Sequence, residues 1–225
     1  MRPILLSWSG GKDSALALWR LLQSGQWKPV GLLCTFSTPF DRVLMHGVRR
    51  LLLLQQAQAT GIDLVPIFLP PEPSNDVYET AWAEVVGDWC RRGVRHVAFG
   101  DVFLQDIRAY REKQLAKLDM EPVFPVWTGC PEREASWQLL EEFWSVGFRT
   151  RIVCVELTKL GEEWAGRELS PTQARRLPPD VDPCGENGEF HTFVFAGPCF
   201  KNPIRVRLGK RFFAKGFCYR DLLPA

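Results

Sequence analysis

Short apolar runs alternate with helix-length amphipathic segments along the first half of the chain, and this rhythm narrows the architecture more than any other feature. Pro3-Ile4-Leu5-Leu6 is followed by a helical pattern from Ser14 to Ser24, closed by Gly25. Val30 to Phe36, Asp63 to Leu69, Val94 to Phe99 and Pro122 to Val126 read as further strands, and Val48 to Thr60, Asn75 to Arg92 and Gln105 to Leu118 as the helices between them. Brief apolar runs parted by helices suit strands buried on both faces. The spacing therefore predicts an α/β fold with a doubly wound parallel sheet, its ligand crevice at the carboxyl ends of the strands.

The first strand-to-helix junction, Ser9-Gly10-Gly11-Lys12-Asp13-Ser14, has the residue types of an anion site. Glycines let the backbone come close to an anion, and the first helical turn points unpaired N–H groups at the same spot. A Walker A loop requires a glycine where Leu6 stands and a Ser or Thr where Asp13 stands, so a mononucleotide kinase or GTPase loop is excluded. The hexapeptide resembles instead the PP-loop of the ATP pyrophosphatases, which cleave ATP between its α and β phosphates. Lys12 supplies a compact positive charge, and Ser9 and Ser14 supply hydroxyls for phosphate oxygens. Asp13 would repel phosphate directly. It serves either as a magnesium ligand or as an acidic charge favoured at a helix N-terminus.

The chain's 225 residues, 46% apolar and 24% charged, have an ordinary globular composition. No apolar run approaches the length of a membrane span and no leader pattern is visible, so a cytoplasmic protein without membrane attachment is expected. Seven scattered cysteines, never in C-x-x-C spacing, argue against a zinc site or a disulfide framework, and a net charge of +2 gives the whole molecule no bias toward nucleic acid.

Beyond Trp127 the rhythm changes, which places an ATP-binding domain at 1–127 and a smaller α+β substrate domain at 128–225. Glu134 to Val146 reads as a helix and Thr150 to Glu156 as a strand, which could also extend the first sheet. Near the end, Arg205 and Arg207 alternate with Ile204, Val206 and Leu208, which predicts a strand basic on one face and apolar on the other, turning at Gly209-Lys210. Between these lies the second dense cluster, "DPCGENGEFHTFV" at 182–194. Glycines flank Glu186 and Glu189 so that the loop presents carboxylates, with His191 close behind; such a loop can order an amine, bind magnesium or move a proton, or can be a turn-rich hairpin entry with solvated acids. Cys184 has no evident base nearby, and a structural role is preferred to a nucleophilic one.

With both motifs in order, the chain resembles the diphthine-ammonia ligase family. "SGGKDS", "MHGV" at 45–48, "GDVFLQDIRAYREK" at 100–113 and "DPCGENGEFHTFVFAGP" at 182–198 carry the resemblance nearly end to end. It implies a HUP/PP-loop ATP pyrophosphatase sheet in which Ser9, Gly10, Gly11, Lys12, Asp13 and Ser14 bind ATP phosphates. Thr35 and Phe36 would meet adenine, Gly100 and Asp101 would lie at the switch-point crevice, and His46 would donate to a phosphate or merely cap a helix. Asp13 and Asp101 would be the magnesium ligands. Lys12, Asp13, Glu186 and Glu189 would be the catalytic groups, with the two glutamates and His191 in an acceptor and ammonia pocket. The implied activity is adenylation of an acceptor carboxylate, on a protein or a small molecule, followed by attack of ammonia supplied as ammonium, as in diphthamide biosynthesis. A homo-oligomer is compatible with it. The rival readings are a PP-loop enzyme acting on a small metabolite or tRNA, and an ATP-binding sensor without catalysis.

Overall fold

The computed structural model describes residues 1–225. In chain order its elements are β1 (Arg2–Ser7), α1 (Lys12–Gln23), β2 (Trp27–Ser37), β3 (Arg42–Val43), α2 (Arg50–Thr60), β4 (Leu64–Leu69), α3 (Asn75–Arg91), β5 (His96–Ala98), α4 (Gln105–Ala116) and β6 (Glu121–Val123). They continue with α5 (Arg133–Ser145), β7 (Arg149–Glu156), α6 (Pro171–Ala174), β8 (Phe190–Ala196), β9 (Val206–Ala214) and β10 (Phe217–Pro224).

Five strands, in the order β4-β2-β1-β5-β6, pair in parallel. The chain builds outward from β1 through β2 to β4, then returns to the other side of β1 for β5 and β6. The direction of winding thus reverses beside β1, and the strand ends diverge there to leave a crevice. The short β3, which hydropathy does not reveal, pairs antiparallel with the tip of β2: Phe36 meets Val43 on one edge and Phe68 of β4 on the other. It therefore lies on the β1 side of β2, over the end of β1.

Strand parity sorts the core. Ile4 and Leu6 join Leu18 of α1 and Leu53 of α2 on one face, whereas Leu5 joins Leu33, Ile67, Trp82 of α3 and Leu115 of α4 on the other. The first of these clusters continues without a break into Val153 of β7, Phe193 of β8 and Leu222 of β10.

Those strands form a separate antiparallel sheet, β8-β7-β10-β9. β7 is interior to it, so Thr150 to Glu156 does not extend the parallel sheet. Nor does the chain turn at Gly209-Lys210. Leu208 pairs with Leu222 and Arg211 with Arg220, so Gly209 and Lys210 together oppose Asp221 in a β-bulge. The reversal comes at Lys215 and Gly216, whose φ values of 51° and 82° suit a tight hairpin. The bulge shifts the alternation of the residues beyond it by one; Leu208, which precedes it on the edge strand β9, is 43% exposed rather than on a buried face. Part of the strand's basic charge is paired, Arg211 with Glu162 at 3.5 Å and Lys215 with Glu72 at 2.8 Å. No helix is long and apolar enough to cross a membrane.

Gln56 of α2 fastens the two sheets together. It is wholly buried, accepts a hydrogen bond from Trp8 Nε1 at 3.0 Å, and donates to the carbonyls of Gly10 at 3.1 Å and Val194 at 2.7 Å. Gln56→Leu would take this partner from the buried Trp8 N–H and Val194 carbonyl, while the Gly10 carbonyl keeps its bond from the Val194 N–H, and should lower the unfolding free energy by about 2 kcal/mol. Urea unfolding, read as a fall in midpoint at unchanged slope, measures it.

Candidate active site

The glycine loop is seated on β8. Gly10, at φ 78°, brings its backbone so close to α2 that a Cβ there would stand 2.7 Å from Gln56 Oε1 and 2.8 Å from Leu53 Cδ1. Its carbonyl also accepts from the Val194 N–H at 2.9 Å. Lys12 N–H donates to Thr192 Oγ1 at 3.0 Å and Gly11 N–H to Ser9 Oγ at 3.2 Å, so part of the loop's donor set is already engaged within the protein. Ser14 closes the turn by donating to the Gly11 carbonyl at 3.0 Å. Helix α1 begins at Lys12 itself, two residues before the hydropathy pattern suggests.

Above this loop a cleft of about 610 Å³ gathers residues from both sheets. Ser9, Gly11, Lys12, Asp13, Ser14, Thr35, His46, Gly100, Asp101 and Glu186 all line it. Gly10, Phe36 and Glu189 do not reach its wall. Gly10 faces α2, and the Phe36 ring, on the strand face opposite Thr35, packs in the core against Phe68 at 6.0 Å. Sequence reading left Thr192, Arg111 and Tyr78 of the cleft unassigned; Arg111 lies within the segment "GDVFLQDIRAYREK", but only the fold shows what it faces.

Charge inside the cleft is paired. Lys12, 4% exposed, donates to both carboxylate oxygens of Asp13, at 2.8 and 2.7 Å. Burial alone would lower its pKa, but Asp13 more than offsets this and holds the ammonium charged. Arg111 stands 3.6 Å from Asp101 and over the ring of Phe99, at 4.9 Å from its centroid. Burial, only partly countered by Arg111, raises the Asp101 carboxyl above its ordinary range. Gly100 packs against the start of α1 so tightly that a Cβ would stand 2.9 Å from the Ser14 nitrogen.

The turn at 182–189 carries the second set of acids. Asp182 Oδ2 accepts from the N–H groups of Cys184 and Glu186, each at 3.0 Å, and shapes the turn. Glu186 Oε1 accepts from the Val102 N–H at 2.7 Å, tying this turn to the loop after β5. Burial first, then the charge of Asp13, pushes the Glu186 carboxyl up to about 8. Glu189 is 2% exposed, and its Oε1 accepts from the Asp182 N–H at 2.9 Å and from Asn187 Nδ2 at 3.1 Å. It braces the turn from within. The Cys184 thiol donates to the Ser136 carbonyl at 3.4 Å and burial raises its pKa, so it is held as a neutral thiol.

No group of three or more His, Cys, Asp or Glu side chains gathers to hold a metal by protein ligands alone. Asp13 and Asp101 both line the cleft, and the charge of Asp13 acts on Asp101. Two carboxylates near one another fit Mg²⁺, which usually takes one or two protein carboxylates and completes its shell with phosphate oxygens and water.

The glycine loop, with residues 1–121, matches the family model of the diphthamide synthase N-terminal domain, and residues 135–222 match that of the diphthamide synthase C-terminal domain. The chain belongs to the diphthamide synthase family. No curated protein sequence matches it. In this diphthamide synthase family member the cleft is shared between the two matched regions: Ser9, Gly11, Lys12, Asp13, Ser14 and Asp101 come from the first, Glu186 and Thr192 from the second.

Glu186 gives the site a pH signature. Its carboxyl keeps a proton up to about pH 8 in the folded chain, against an ordinary value of 4.5. Between these limits the folded state binds a proton that the unfolded state has released, so the contribution of Glu186 to stability falls as pH rises through that window and is constant outside it. Glu186→Gln should remove this fall. The urea midpoint of the variant should gain on that of the parent between pH 4.5 and 8; a constant gap would mean that Glu186 titrates normally.

Proposed function

We propose that this protein is an ATP-dependent carbon–nitrogen ligase of the diphthine-ammonia ligase type, which adenylates an acceptor carboxylate, releases pyrophosphate, and passes the acyl group to ammonia with release of AMP. Family membership supports a role in diphthamide biosynthesis and the use of ATP. The observation that carries the finer reading is the meeting of the glycine loop, Gly100-Asp101 and the Glu186 turn around one cleft at the reversal of the strand order. The fold reading that goes with it is a doubly wound PP-loop sheet in an ATP-binding domain of residues 1–127, with an α+β substrate domain at 128–225, working in the cytoplasm, where the seven free thiols would remain reduced.

Ser9, Gly11, Lys12 and Ser14 bind the phosphates, and Thr35 borders the adenine side. Asp13 and Asp101 would hold magnesium, which when bound supplies positive charge for the departing pyrophosphate. The acceptor carboxylate attacks the α phosphorus in line, the bond to the bridging oxygen breaks, and Lys12 meets the charge that develops there. A base poised near neutral pH then matters, because ammonia arrives mostly as ammonium. Glu186, whose carboxyl is pushed up to about 8, takes the proton from ammonium when it is in its ionised form; the freed amine attacks the acyl carbon and AMP leaves. Glu189 acts through the turn it braces and is a positioning residue.

Product analysis tests this reading. With acceptor and ammonium present, ATP should give AMP and pyrophosphate in equal amounts; ADP and phosphate would overturn it. Lys12→Ala should cost about 2–4 kcal/mol of transition-state stabilisation, seen in kcat/KM. Glu186→Gln should keep ATP affinity and lose amide formation.

A further inference from the structure

Every permanent cation that lines the cleft is already paired with an acid. Lys12 is bound to Asp13, Arg111 to Asp101 and, at the rim, Lys215 to Glu72, while Glu186 adds a further carboxyl. A polyphosphate would thus enter a wall with no unpaired positive charge, and anions of that charge need compensation when desolvated. The remaining basic groups on the wall are two imidazoles far apart in the chain.

His46 comes from the segment between β3 and α2, and His191 from β8; their ring centroids are 4.4 Å apart with planes at 31°. The position of His46 is built rather than casual. Arg42 Nη1 donates to the Gly47 carbonyl at 2.7 Å and to Asp221 Oδ1 at 2.9 Å, and Arg49 also pairs with Asp221. At φ 68° Gly47 lies so close to Tyr219 that a Cβ would meet its ring at 2.7 Å. His191 is half-buried, and its Nε2, which is shielded from solvent, has no hydrogen-bond partner within the protein. A ring nitrogen with no protein partner, on a residue that lines the cleft, is one to which a ligand can supply the missing bond.

We propose that His46 and His191 together form a phosphate-binding subsite, neutral in the free protein, which takes up one proton when a pyrophosphate or triphosphate group binds. The inference rests on the nucleotide reading of the cleft. The groups that bear on the rings are Lys12 from α1, which acts on both, His46, which acts on His191, and the Leu44 carbonyl, which lies 3.4 Å from His46 Nδ1. Burial and the Lys12 charge keep the free rings neutral, His46 down to about 4. Arrival of the anion reverses the sign of the local field. One proton then moves from solvent to the pair, the new imidazolium N–H donates to a phosphate oxygen, and the neighbouring ring stays neutral because two charges in contact would repel.

The test is calorimetric titration with inorganic pyrophosphate and chelator present, at neutral pH in two buffers of unequal ionisation enthalpy. Wild-type protein should take up about one proton per pyrophosphate bound. His191→Gln and His46→Gln should each abolish the uptake and weaken binding about tenfold or more. Imidazole ¹⁵N spectra provide a readout on the unaltered chain, which has only three histidines. One ring of the pair should change from neutral to imidazolium on titration, while His96, beside Trp27 and Glu121, should not respond. Binding without buffer dependence, absence of pyrophosphate binding, or variants that retain the uptake would overturn the subsite. AMP and pyrophosphate production without proton uptake would remove the subsite alone; ADP production with uptake intact would remove the ligase reading alone.

Discussion

The contact on which the site depends is the seating of the glycine loop on β8. A loop with two adjacent glycines has little conformation of its own, since glycine loses more freedom on ordering than any other residue. Its shape must be imposed, and here the imposing groups lie far along the chain: Thr192 Oγ1 on the Lys12 N–H, the Val194 N–H on the Gly10 carbonyl, and Gln56 between Gly10 and Val194. Thr192 is 180 positions from Lys12. The glycine loop is therefore completed by the second sheet. The continuity of one apolar core from Ile4 to Leu222 is the packing counterpart of that arrangement.

The same contact explains what was legible in the sequence. Buried parallel strands show as apolar runs whatever surrounds them, and the strands from β1 to β7 that contain four or more residues lie close to where hydropathy puts them. β3 has two residues and no period, and it exists because β2 outruns β1 and leaves an edge to pair with. Gly209 reads as a turn because glycine and lysine together usually do, but a glycine inside a strand also permits a bulge; the pairing of Asp221 decides between them. Asp221 has reason to hold that register, since it is ion-paired with Arg42 and Arg49.

Among the site residues, type was legible and direction was not. Glu186 and Glu189 stand in nearly the same local sequence, each directly after a glycine, yet one carboxylate turns to Val102 at the cleft and the other inward to Asp182. Nothing local separates them; the partner backbone does. Thr35 and Phe36 divide in the same way by strand parity, one toward the cleft and one toward the core. Arg111 was visible only as one basic residue among several on α4, and it gains meaning from the Asp101 carboxylate that β5 delivers beside it.

The electrostatics of the cleft follow from this geometry. Pairing one acid with each permanent cation leaves a wall close to neutral, and Glu186, buried with no ion-pair partner, is driven toward its protonated form. A wall of this kind binds a highly charged ligand only if positive charge comes with it, from a metal held by the paired acids, from protons taken up by imidazoles, or from both. The arrangement favours selectivity over raw attraction, because an anion that cannot bring or induce its own countercharge finds no unpaired cation to hold it. The cleft thus holds two kinds of ionisable group: Lys12, kept a cation beside Asp13, and Glu186 and the two imidazoles, whose neutral forms burial favours.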